Sequence, residues 1–238
     1  MVTGVGSGLG HAVARALAAE GAYVLGCDID DGAGKATMSN VGEYRHANVA
    51  VEADVEALME GAVRAFGSLD VLVNNAAIQI EEELAETTEE QLDSILAVNL
   101  KGVFFGCKHA VRAMRHSGGG TIVNVASILA LVGDGRLAAY CAAKAGVLGV
   151  TRATAVRYGP DGIRCNAICP GDIETPLVEA YLAGTNVSRA TMEQAYPLGR
   201  ISQPDEIARA IVFLASDDSS FMSGQPLILD GGLLAKCY

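Results

Sequence analysis

The stretch TIVNVASILALVGDGRLAAYCAAK, Thr121 to Lys144, carries a strand, a loop and the start of a helix within 24 residues. Thr121 to Val125 is short, β-branched and preceded by Gly118, Gly119 and Gly120, which predicts a buried strand with Ser127 just past its carboxyl end. From about Ala138 the residues are mostly Ala, Cys, Leu and Val, so the chain is expected to be helical. Tyr140 and Lys144, four apart, then share one face. An ammonium about 4 Å from a developing phenolate, at an effective dielectric near 20, favours the charged form by roughly 4 kcal/mol. That is enough to bring a tyrosine from about 10 to about 7, with burial working against the shift. A general acid/base usable near neutral pH is the expected result. The spacing alone is weak evidence, because an ordinary surface pair satisfies it equally well.

Its weight comes from the rest of the chain. The sequence opens Met1-Val2-Thr3-Gly4-Val5-Gly6-Ser7-Gly8-Leu9-Gly10 and runs into HAVARALAAEG, an amphipathic helix closed by Gly21. A glycine-rich turn feeding a helix amino terminus brings backbone N–H groups and the positive end of the helix dipole up to a phosphate. Asp28 ends the next strand, Tyr23 to Cys27, where a carboxylate accepts hydrogen bonds from an adenosine ribose and repels a 2′-phosphate. No basic residue stands at Ser7 or Ile29 to offset that repulsion, so the turn reads as NAD-binding. The competing reading is a solvated turn aspartate beside Asp30 and Asp31.

Further along, a strand near Tyr44 to His46 leads to Asn48-Val49 and a helix over Glu52 to Phe66. A strand over Val71 to Val73 ends in Asn74-Asn75-Ala76-Ala77. A helix over about Glu89 to Arg115 contains Asn99 among apolar neighbours, either as a hydrogen-bond hub or as part of a solvent relay. Beyond Lys144 the helix is expected to reach Tyr158, followed by a strand over Ile163 to Ile168 and the irregular Pro170-Gly171-Asp172-Ile173-Glu174-Thr175. Weak patterning over about 172–200 suggests a flap over a pocket. A helix over Pro204 to Ala215 and a last strand over Leu227 to Leu229 complete the chain. The alternation predicts one α/β domain over 1–238: a doubly wound parallel sheet of about seven strands, helices on both faces, ligands at the strands' carboxyl ends.

Composition narrows the function classes. A net charge of −11 lacks the basic field that nonspecific binding to nucleic acid or an anionic membrane needs. No apolar run approaches the roughly 18 residues of a transmembrane helix, and no basic region precedes an apolar segment at the amino terminus; a soluble cytoplasmic protein is expected. Cys27, Cys107, Cys141, Cys165, Cys169 and Cys237 fall mostly in apolar runs without C-x-x-C spacing, and are expected to be reduced and mostly buried. Neither they nor His11, His46, His109 and His116 have metal-ligand spacing, so no metal is expected.

In this order and spacing, T-G-x-x-x-G-x-G at Thr3 to Gly10, N-N-A-A at Asn74 to Ala77, Asn99, Ser127, Y-x-x-x-K at Tyr140 to Lys144 and P-G-x-I-x-T at Pro170 to Thr175 resemble the short-chain dehydrogenase/reductases over the whole chain. The resemblance implies a Rossmann fold and a homotetramer built on the two long helices around Asn99 and Tyr140. It implies that Tyr140 is the acid/base, that Lys144 lowers its pKa and holds the nicotinamide ribose, and that Ser127 bonds the substrate oxygen. Asn99 would hold a water between Lys144 and solvent. Gly4, Ser7, Gly8, Leu9 and Gly10 would shape the phosphate turn, Asp28 and Ile29 the ribose contact, Asn48 and Val49 the adenine wall, and Asn75 and Ala76 the middle of the cleft. Pro170, Gly171, Ile173 and Thr175 would lie against the nicotinamide.

Three departures stand out. Only Met1 and Val2 precede Thr3, so either the first strand is stunted or residues ahead of it are lacking. Asn48 stands where the family commonly has aspartate, and Ala77 where it has glycine. Substrate walls are expected from Gln79, Ile128, Ala130, Leu131 and Val132, with Tyr181 or Tyr196 from the flap; they are mainly apolar and lack an arginine. The favoured reading is an NAD-dependent oxidoreductase of a neutral secondary alcohol, ketone or polyol. The rivals are an NADPH-dependent reductase of 3-oxoacyl-carrier substrates and a non-catalytic dinucleotide-binding regulator.

Overall fold

The computed structural model describes residues 1–236; Cys237 lies outside the described residues. Seven parallel strands form one sheet in the order β3-β2-β1-β4-β5-β6-β7: β1 Val2–Thr3, β2 Val24–Asp28, β3 Gly42–His46, β4 Val71–Asn74, β5 Gly120–Val125, β6 Ile163–Pro170 and β7 Pro226–Leu229. Because side chains alternate across a strand, Val2, Val24, Val73, Val123 and Ile168 point to one face. There they meet α1 (Gly8–Ala19) and α9 (Pro204–Ala215) through Val13, Leu17, Ile207, Ile211 and Leu214. Leu25, Leu72, Ile122 and Cys165 point to the other face, under α3 (Glu52–Phe66), α5 (Gly102–Met114) and α6 (Ala138–Tyr158). The expected two-sided α/β architecture is the observed one.

The central strand β1 has two residues, yet it is held from both sides. Val2 pairs with Gly26 and Val73, and Val73 N donates to the Met1 carbonyl at 2.9 Å. Strand order reverses between β1 and β4, which opens a crevice at their carboxyl ends. Asn75 stitches that crevice: its Nδ2 donates to the Thr3 and Gly4 carbonyls at 2.9 and 3.0 Å, and its N–H donates to Thr3 Oγ1 at 2.9 Å.

The structure adds one helix to the sequence reading and corrects two element bounds. After Asp28 the structure adds a helix absent from the sequence reading, α2 (Asp31–Met38), capped by Asp30 Oδ1 accepting from Ala33 N at 3.0 Å. With two Gly in eight residues, that helix has low intrinsic propensity and shows little in the sequence. The helix expected over Glu89 to Arg115 is α4 (Glu89–Leu96), a π-helical turn at Ala97–Lys101 and then α5, so Asn99 sits in a widened turn. Strand β6 continues two residues beyond Ile168 to Pro170, because the β7 ladder pairs Cys169 with Ile228 and Pro170 with Leu229. The flap is α7 (Pro176–Gly184) and α8 (Arg189–Ala195), packed on a small core of Val178, Met192, Tyr196 and Ile201.

Of the cysteines, Cys27, Cys107, Cys165 and Cys169 are buried as expected, whereas Cys141 is half-exposed on the helix face beside Tyr140. All five are free thiols.

Candidate active site

The glycine turn between β1 and α1 is shaped by what a side chain would strike. Gly4 has φ +71°, and a Cβ there would lie 2.8 Å from Ala76 Cα; a Cβ on Gly10 would run into the Gly4 carbonyl oxygen. The backbone therefore doubles back tightly, and α1 approaches the strand end closely. Ser7 caps α1 with extended backbone and no side-chain hydrogen bond, which leaves the first N–H groups of the helix as free donors.

Asp28, at the end of β2, closes one side of this turn. Its Oδ2 accepts from Gly6 N at 2.8 Å and its Oδ1 from Asp30 N at 3.0 Å, so the carboxylate is fixed with a further lone pair on each oxygen. The carboxylate is thus not freely solvated: Oδ2 is tied to the glycine turn and Oδ1 closes its own two-residue turn at the end of β2. Asn48 Oδ1 accepts from Ala50 N at 3.0 Å while its N–H donates to Asp54 Oδ2 at 3.0 Å; the side chain serves its own turn and leaves Val49 as the apolar wall.

At the other end of the crevice, β5 delivers Ser127 and α6 delivers Tyr140 and Lys144. Ser127 Oγ accepts from Leu129 N at 3.1 Å, fixing the turn after the strand. Tyr140 is 8% exposed and Lys144 2%. Lys144 Nζ donates to the Val125 carbonyl at 2.8 Å and lies 5.4 Å from the Tyr140 ring centroid. Burial drives its pKa down to about 8. Burial also drives the Tyr140 phenol above its usual range, aided by Cys141 and Asp172 and opposed by the Ser127 hydroxyl. The direction is opposite to the expected fall toward neutral: burial dominates, and the Lys144 ammonium is hydrogen-bonded to the Val125 carbonyl.

Gly4, Ser7, Gly8, Leu9 and Gly10, Asp28 and Ile29, Asn48 and Val49, and Asn75 and Ala76 line a single cavity of about 1050 Å³ with Ser127, Tyr140, Lys144, Pro170, Gly171, Ile173 and Thr175. Thr175 hangs over the turn: a Cβ on Gly8 would meet its methyl at 3.1 Å. Asn99 does not line this cavity. It is fully buried one layer behind, with Oδ1 accepting from Ile78 N at 2.9 Å and Nδ2 donating to Ile78 O at 2.8 Å. That is the hub geometry, and it steadies a wall residue.

Gln79, Ile128, Val132, Tyr181 and Tyr196 line the cavity as expected, whereas Ala130 packs into the core beneath and Leu131 turns out to solvent. The short helical turn Ile128–Ala130 rotates them away. Sequence reasoning missed Asp134, Asp172, Met192 and Leu233 as lining residues. Asp172 was in view as the open position of the P-G-x-I-x-T run; the other three carry no local signal. Lys144 is the only basic side chain lining the cavity among the described residues.

The cleft fits a dinucleotide: a glycine-rich turn with free helix donors, a fixed carboxylate at one end and a buried phenol–ammonium pair at the other. A family model described as enoyl-(acyl carrier protein) reductase matches residues 4–234. A cis-4-hydroxycyclohexanecarboxylate dehydrogenase of Sinomonas cyclohexanicum is 44% identical over 99% of this chain and 96% of its own length. A cyclohexanol dehydrogenase of an Acinetobacter strain is 37% identical over 99% and 94%. The crystal structure of a levodione reductase superimposes with a TM-score of 0.94 at 37% identity, covering 99% of this chain and 96% of the other. The chain belongs to the short-chain dehydrogenase/reductase family and is an oxidoreductase that works with a nicotinamide cofactor on CH–OH groups.

Proposed function

We propose that the protein is an NAD-dependent dehydrogenase of neutral secondary alcohols, with ring alcohols as the first class to try. The observation that carries this reading is one cavity running from the Asp28 carboxylate to Tyr140, Lys144 and Ser127, with no other basic residue along it among the described residues. A carboxylate at the ribose end disfavours a 2′-phosphate, which argues for NAD. A substrate end whose one lining cation among the described residues, Lys144, is already engaged by the Val125 carbonyl disfavours an anionic alcohol. The ring preference is supported by the cyclohexanol and hydroxycyclohexanecarboxylate dehydrogenases among the relatives.

In the oxidative direction Tyr140 accepts the hydroxyl proton and Ser127 holds the substrate oxygen. Lys144 supplies positive charge beside the phenol, and Asn99 keeps the Ile78 wall in place. The cofactor supplies the hydride acceptor. Asp28 argues against the NADPH-dependent 3-oxoacyl-carrier reading.

Tyr140→Phe is expected to cut turnover by at least about a thousandfold, within the range general acid–base catalysis supplies, while NAD⁺ still binds by calorimetry. A variant that turns over alcohol at the parental rate removes Tyr140 from the chemistry. A panel of secondary alcohols and ketones with NAD⁺ and NADH, followed by nicotinamide absorbance, identifies the substrate. The cytoplasm is the proposed compartment, supported by five unpaired thiols among the described residues. A homotetramer is the proposed assembly, supported by exposed Phe104 on α5, Val156 on α6, and Phe221 and Ile228 near the β7 edge. A monomer by light scattering refutes it.

A further inference from the structure

The substrate end of the cavity has a polar wall that the chemistry above does not use. Asp172 is locked in place from three directions. Tyr196 Oη accepts from Asp172 N at 2.7 Å and donates to its Oδ2 at 2.7 Å, and Ser202 donates to the Asp172 carbonyl through both N and Oγ at 3.0 Å. Tyr196 in turn is 4% exposed, with its ring against Gly171 and Gly231, where a Cβ would lie 2.9 and 3.3 Å from it. These bonds fix the residue and its Oδ2 where it borders both this cavity and a smaller one lined by Arg200 and Glu206. Its Oδ1 accepts no hydrogen bond from any described residue.

Asp134 lines the same cavity from the loop before α6, with Oδ1 taken by Arg136 N at 2.8 Å. The two carboxylates act on each other and both act on Tyr181. Asp172 also acts on Tyr140, which places it within electrostatic reach of the reacting end. A fixed acceptor with a lone pair free, beside a second carboxylate in a cavity whose only lining cation among the described residues is Lys144, matches a hydrogen-bond donor on the substrate and opposes a negative charge.

Resting on the dehydrogenase reading of this cavity, we propose that the substrate is a diol: one hydroxyl meets Tyr140 and Ser127, and a second donates to Asp172 Oδ1. Asp172 acts as a specificity residue that binds the non-reacting hydroxyl, and with Asp134 it turns away carboxylate-bearing alcohols. No bond beyond those of the alcohol oxidation is made or broken.

The test compares cyclohexanol, the isomeric cyclohexanediols and 4-hydroxycyclohexanecarboxylate with NAD⁺, as kcat/KM, in the parent and in Asp172→Asn. A hydrogen bond to a charged group corresponds to about tenfold or more. At least one diol is therefore expected to exceed cyclohexanol by about tenfold, and the carboxylate to fall below it. Asp172→Asn keeps an oxygen for Tyr196 and should still fold. It is expected to shrink the diol-to-cyclohexanol ratio, mainly through KM, and to raise the relative rate on the carboxylate. Equal kcat/KM for cyclohexanol and every diol in the parent overturns the proposal, as does a ratio unmoved by the substitution. The same ligands are also titrated by calorimetry into the NAD⁺-bound protein. If no alcohol is oxidised, the dehydrogenase reading of the substrate fails, and the diol-to-cyclohexanol ratio of Kd values still decides whether Asp172 selects a second hydroxyl.

Discussion

Replacing Lys144 by Met should make the cofactor-free protein more stable and catalytically dead. Lys144 is 2% exposed, and burial lowers its pKa from 10.5 to about 8. A fall of that size means the fold disfavours the ammonium by roughly 3 kcal/mol. A methionine of similar length removes that cost but orphans the Val125 carbonyl, now bonded at 2.8 Å, at a cost of about 1 kcal/mol. The net gain near pH 7 is roughly 2 kcal/mol, which for a chain of this size raises Tm by about 6 °C. Because the folded-state pKa lies below the unfolded one, the unfolded chain binds more protons between pH 8 and 10.5. The cost of the lysine is therefore present in full below pH 8 and is relieved as pH rises to 10.5. The variant's advantage should shrink across that window, vanish near pH 10 and reverse above it, where only the lost hydrogen bond to the Val125 carbonyl remains. Thermal melts followed by far-UV circular dichroism at pH 7 and pH 10, without cofactor, measure both effects. A variant less stable than the parent at pH 7, or an advantage that stays constant with pH, refutes the premise that the buried ammonium is strained.

Three further outcomes follow from the site. Asp28→Ala should raise kcat/KM with NADP⁺ relative to NAD⁺ by at least about tenfold, since it removes a fixed carboxylate from the 2′-phosphate position; an unchanged cofactor ratio counts against the ribose assignment. Gly10→Ala should destabilise by about 1–3 kcal/mol or prevent folding, because the added methyl runs into the Gly4 carbonyl; urea melts matching the parent would show that α1 can move aside. With the Tyr140 phenol held above its usual range by burial, kcat/KM for alcohol oxidation should still be climbing through pH 8, because the phenol must shed its proton to act as base. Ketone reduction, which needs the protonated phenol, should hold level over the same range, and a flat oxidation profile from about pH 6 to 9 would contradict the burial argument.

Much of this protein was legible from local rules. The β-branched run at Thr121 to Val125, the alanine-rich face carrying Tyr140 and Lys144 and the glycine turn feeding α1 each predict their own conformation, because strand and helix periodicity are written in neighbouring residues. Strand–helix alternation then restricts the topology to a parallel, doubly wound sheet, which places Gly4, Asn75, Ser127 and Pro170 at one edge. The helix at Asp31–Met38 and the widened turn around Asn99 were not legible, since one has weak propensity and the other holds no Pro or Gly within Ala97–Lys101.

Tertiary structure alone decided the balance between burial and charge at Tyr140. A four-residue spacing specifies that the lysine is near, but whether its ammonium faces the phenol or the Val125 carbonyl depends on a strand from elsewhere in the sheet. The same holds for Asp172: it faces the cavity because Tyr196 and Ser202, distant in sequence, hold it there. Sequence determines which groups the chain can offer, through local periodicity. How much water each loses, and which partner it keeps, is set by segments that meet only when the sheet closes.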